Sequence, residues 1–192
     1  VESGRKADGS LNNSRVYVIA TQWSEDDASR GITRASRNDD KNTEFYINMI
    51  RKNCNESPKG IQINGFTNRS SLNNAYYLNG DDNEGHSLGD KLNVEFLLNG
   101  GFFTENQEIE DINDQIDFVW LANPSGKPSD QDLQDINEWL DLGDKKLIIT
   151  YSCDRPDTAQ EIASNVDYLC SGVRITSKPL FLPNNSEYFT GC

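Results

Sequence analysis

The apolar residues of this chain are gathered into a few short blocks set among long polar stretches. Three blocks dominate: Val16 to Ala20, Phe118 to Ala122 and Leu147 to Tyr151. Each is short and continuous, the pattern of a strand buried on both faces, as in a parallel sheet. Gly60 to Phe66, with Ile61 and Ile63 alternating, predicts a further short strand. Elsewhere the period changes. From about Asn42 to Cys54 the residues Phe45, Ile47, Met49 and Ile50 crowd together, with Phe45–Met49 and Tyr46–Ile50 at i,i+4, so a helix is expected. Leu88, Leu92 and Phe96 fall in step over Leu88 to Leu98 and read as a second helix, with β-structure as the alternative.

The second half of the chain has the clearer rhythm. Ile116 to Ala122 reads as a strand, and Asn123-Pro124-Ser125-Gly126-Lys127-Pro128 as the turn that closes it. Ser129 is placed as an N-cap, with Asp130 and Asp132 in the first helical turn. Leu133, Ile136, Trp139 and Leu140 form the apolar face of that helix, and Gly143 sits where a C-terminal glycine belongs. Lys145 to Tyr151 is the next strand. Thr158 and Glu161 suit a capping box for a helix burying Ile162, Val166, Leu169 and Cys170, ended by Gly172. Val173 to Phe181 supplies a final strand. Strand–helix–strand alternation of this kind implies right-handed crossovers. The expected fold is therefore α/β: a three-layer sandwich, mostly parallel sheet with helices on both faces. Residues 1–14, polar and glycine-containing, read as a linker or arm. Residues 15–192 read as one domain carrying a long polar insertion at about 67–90.

Composition narrows the functional classes. The chain has 192 residues, 35% hydrophobic and 26% charged, with a formal net charge of −13. That charge repels phosphate, so neither nucleic acid nor an anionic membrane surface is an expected partner. No apolar run approaches the length that spans a bilayer, and no signal peptide is visible. The ends, Val1 and Tyr188 to Cys192, read as cuts from a longer protein. Cys54, Cys153, Cys170 and Cys192 show no CxxC spacing, and His86 is the single histidine, so no metal site is expected. Reduced packing thiols are the simplest reading, with a Cys153–Cys170 disulfide as the alternative. The 22 asparagines include four N-x-S sequons, at Asn12, Asn55, Asn68 and Asn184, a number that so Asn-rich a chain also reaches by chance. Asp81-Asp82-Asn83-Glu84 has oxygen ligands suited to calcium but lacks EF-hand spacing, and reads as a solvated loop. Neither GxGxxG nor a P-loop occurs. Gly100-Gly101 before Phe102-Phe103 reads as a turn, and Trp23, Trp120 and Trp139 as packing residues.

In an open parallel sheet, ligands sit at the carboxyl ends of the strands. Gln22, then Asn123 and Ser125, then Ser152 fall there and are the expected ligand-contacting residues. Cys153 follows a hydrophobic strand and precedes a helix, where a helix N-terminus lowers a thiol pKa. The stretch from Asp117-Phe118-Val119-Trp120-Leu121 through Glu138-Trp139-Leu140 to Leu147-Ile148-Ile149-Thr150-Tyr151-Ser152-Cys153 resembles the class I glutamine amidotransferase-like family. The resemblance implies a cysteine nucleophile at Cys153 on a strand-to-helix elbow. It also implies small neighbours and a histidine downstream. Here the neighbours are Ser152, Asp154 and Arg155, and the one histidine, His86, lies upstream. A caspase-like arrangement would need a histidine where Ser125-Gly126-Lys127 stands. A second resemblance, in Val119-Trp120-Leu121-Ala122, Leu142-Gly143-Asp144 and Ser152-Cys153-Asp154-Arg155-Pro156, is to the α/β core of bacteriophage contractile-tail sheath proteins. On balance the sequence reads as a non-catalytic structural or interaction domain of a larger assembly, in a virion or extracellular setting. Its partners would be other protein subunits, and no cofactor is expected. The alternatives are a cysteine hydrolase or amidotransferase-like enzyme using Cys153 with His86 as base, and a small-ligand module at the strand ends.

Overall fold

A computed structural model describes residues 2–3, 8–21, 40–51, 55–66, 88–152 and 156–166. The strands are β1 (Glu2–Ser3), β2 (Arg15–Thr21), β3 (Lys59–Gly65), β4 (Phe102–Gln107), β5 (Phe118–Ser125) and β6 (Lys146–Ser152). The helices are α1 (Asp40–Arg51), α2 (Leu88–Leu97), α3 (Asp130–Asp141) and α4 (Pro156–Asn165), with a 3-10 turn at Ile109–Asp111.

The sheet runs β1-β2-β6-β5-β3-β4. β2 through β6 pair in parallel, and only the two-residue β1 runs antiparallel, against Val16 and Tyr17. Side-chain alternation then divides the core into two layers. Val16, Val18, Val119, Leu121, Leu147 and Ile149 face Ile136, Trp139 and Leu140 of α3 and Ile162 and Ala163 of α4. Tyr17, Phe118, Trp120 and Ile148 face Tyr46, Met49 and Ile50 of α1 and Leu92 and Phe96 of α2. Helices therefore cover both faces, and the fold is the α/β three-layer sandwich that the apolar blocks imply. The strand directions agree with this. Along the chain β2→β3→β4 advances one way across the sheet, with α1 and α2 on one face. From β4 the chain turns back to β5 and β6, and α3 lies on the other face, as right-handed crossovers require. The return from β4 to β5 uses the 3-10 turn, whose Ile109 packs with Ile116 on the α3 side.

The amino ends of the strands are tied together by polar contacts. Lys145 is buried, and its Nζ donates to the carbonyls of Asp114 (2.7 Å) and Ile116 (2.8 Å). The Trp139 indole also donates to the Ile116 carbonyl, at 3.1 Å. Asp117 Oδ2 accepts the Lys59 amide at 2.9 Å, joining β5 to β3. Ser14 Oγ donates to the Leu140 carbonyl at 2.7 Å and accepts the Lys145 amide at 3.1 Å, while Asn12 Nδ2 donates to the same carbonyl at 2.9 Å. So the last residues of the stretch read as an arm are fastened to the end of α3, and Glu2–Ser3 lie on the sheet.

Three details differ from the sequence reading. β5 runs on through Asn123, Pro124 and Ser125, which read as a turn. Proline is accommodated because the ladder between β5 and β6 ends at Ala122↔Thr150, so no neighbour on that side needs its missing N–H. β4 was not anticipated at all. α4 starts at Pro156, a favourable first helical residue, rather than behind a cap at Thr158. α2, at Leu88–Leu97, agrees with the helix that Leu88, Leu92 and Phe96 in step imply. The expected strand Val173 to Phe181, and Leu169, Cys170 and Gly172, lie outside the described residues.

Candidate functional site

Between β3 and β5 the chain leaves the sheet in opposite directions: toward β4 after β3, and toward β6 after β5. Such a reversal opens a crevice outside the strands' carboxyl ends, the common ligand position of open α/β sheets. Here the reversal falls between Gly65 and Phe66 after β3 and Asn123 to Gly126 at the end of β5. The two strands stay paired at Gly65↔Ser125 beyond a register shift. Asn123 and Ser125 thus stand at the reversal point. Ser152 ends β6 one strand away, opposite Thr21 of β2. The structure brings these three positions to one end of the sheet. Gln22, His86 and Cys153 lie outside the described residues.

The electrostatics of this end are set by the start of α3. Ser129 caps the helix: its side chain accepts from the Asp132 amide at 3.1 Å, and Asp132 Oδ2 accepts from the Ser129 amide at 2.7 Å. With Asp130 also in the first turn, the positive helix end is already balanced by carboxylates, which disfavours an anionic ligand there. Lys127, in the connecting loop, reaches Glu161 of α4 at 3.5 Å, an exposed pair of little energetic weight. Among the described residues, no group of three His, Cys, Asp or Glu side chains could hold a metal ion. Nor is any helix among them long and apolar enough to cross a membrane.

A second surface, which the sequence reading did not single out, lies at the opposite edge of the sheet. α2 packs beside β4, the outermost of the described strands on that side. Its Leu92 and Phe96 are wholly buried, Phe96 edge-on to Phe118 with ring centres 5.7 Å apart. Val94, Leu97 and Leu98 are 60%, 56% and 78% exposed. At about 3.6 residues per turn these two sets lie on opposite sides of one helix. A helix that is apolar on both sides suits a place between two layers, and among the described residues the sheet supplies one. Arg51 of α1 meets Glu95 at 2.8 Å and lies 5.7 Å from the centre of the Phe96 ring, pinning α2 to α1. Sequence could have shown the i, i+3, i+4 spacing of Val94, Leu97 and Leu98. It could not show which of the two apolar sides faced the core.

On the outer side of β4, two backbone groups bond to side-chain amides. Asn93 Oδ1 accepts the Phe103 amide at 3.2 Å, and Gln107 Nε2 donates to the Glu105 carbonyl at 2.8 Å. In a parallel ladder, alternate residues turn both backbone groups to one side. Phe102 bonds toward β3's side, to the Pro58 carbonyl at 3.1 Å, so Phe103 and Glu105 point outward. These bonds occupy one donor and one acceptor that an added strand would use.

No protein-family model matches the chain, and neither a curated protein nor a solved structure matches it.

Proposed function

We propose that this chain is a non-catalytic interaction domain of a larger assembly, docking to other protein subunits through the outer side of α2. The observation that carries the reading is the exposure of Val94, Leu97 and Leu98 on the side of α2 away from its buried residues. Scattered exposed leucines are ordinary, but a contiguous apolar helical side marks a contact surface. A virion or extracellular structural protein, of the sheath type that the strand rhythm resembles, is the assembly this reading favours. The test is a photo-cross-linking residue placed at Leu98 in the native source, with the exposed Gln134 on α3 as control. A discrete adduct from position 98 and none from 134 supports the reading. Equal or no adducts from both would sink it.

A second reading has its own observation: Asn123 and Ser125 stand at the strand-order reversal. On this reading the domain holds a small neutral or cationic ligand there, since the carboxylates at the start of α3 disfavour an anion. Nuclear magnetic resonance screening of polar fragments tests it. Shifts confined to the amides of Gly65, Asn123 and Ser125 would support it, and a screen that leaves them unmoved would rule it out.

A further inference from the structure

We draw no further inference here: the strongest candidate, the exposed apolar side of α2 formed by Val94, Leu97 and Leu98, carries nothing beyond the interaction-domain reading, because nothing in the structure shows what covers it.

Discussion

Gly60 lies in β3 directly opposite Phe118 of β5, and the Phe118 ring covers it. A Cβ built on Gly60 would fall inside contact distance of three atoms of that ring. The ring has nowhere to go. Phe118 is fully buried, stacked on Phe103 at 5.5 Å with planes 12° apart, and meets Phe96 edge-on. Gly60→Ala therefore overpacks the layer beneath α2, at a cost of about 1–3 kcal/mol. Alanine also loses less chain entropy than glycine on folding, which offsets about 0.4–1 kcal/mol. A net loss of about 1–2 kcal/mol remains, or a Tm lower by roughly 2–8 °C for a domain of this size. Urea and thermal unfolding of the two proteins measure it. The same substitution in a Phe118→Leu background isolates the cause, because a smaller neighbour leaves room for the methyl group. The cost of Gly60→Ala should shrink there by at least about half in a double-mutant cycle. A Gly60→Ala protein as stable as wild type, or an equal cost in both backgrounds, would refute the packing argument.

Three other perturbations probe the same framework. Thr150 Oγ1 accepts the buried Trp120 indole N–H at 2.9 Å, so Thr150→Val should cost about 1–3 kcal/mol in urea unfolding by stranding that donor, and Thr150→Ser clearly less. Ser129→Ala removes the cap of α3 and should lower stability by about 1 kcal/mol, measured the same way. Burial beside Trp120, 4.8 Å between ring centres, holds the Tyr46 phenol above the ordinary tyrosine range. Because the folded-state value is raised, this contribution to stability is complete below the unfolded tyrosine value of about 10 and is lost as pH rises beyond it. Absorbance titration at 295 nm should show one tyrosine ionising only as the fold is lost. Ionisation of Tyr46 in the ordinary tyrosine range in a folded protein would contradict the burial argument.

The layers of this fold were legible because parallel strands buried on both faces announce themselves as continuous apolar blocks. Val16 to Ala20, Phe118 to Ala122 and Leu147 to Tyr151 all became strands, and Ser129, Asp132 and Gly143 all serve the ends of α3. β4 escaped notice because Phe102 to Gln107 has two apolar residues followed by polar ones. An edge strand draws its stability from pairing with β3 and from one buried side chain, Phe103, rather than from its own pattern. Pro124 and Ser125 carry turn chemistry but lie in a strand, since the end of the β5–β6 ladder is a tertiary circumstance no local signal reports. Strand order was equally hidden, being set by contacts between residues far apart in sequence. At the candidate site, the strand-end positions Asn123 and Ser125 followed from topology. The α2 surface did not, because apolar spacing marks a side without telling whether it is covered.

The place of β2 in the sheet bears on how the chain is made. Of the described parallel strands β2 leaves the ribosome first, and among them its parallel partner is β6. Lys145 and Ser14, which bond where the two strands begin, stand 131 residues apart in the sequence. Until β6 emerges, β2 can pair only with the two-residue β1 among the described strands, while β3, β4 and β5 can already pair among themselves. Synthesis therefore passes through a stage in which a finished half-sheet coexists with an apolar strand, β2, that still lacks its parallel neighbour. Closing so long a loop is slow, and a nascent chain stalled before β6 would carry a sticky amino-terminal strand that invites misassociation or chaperone binding.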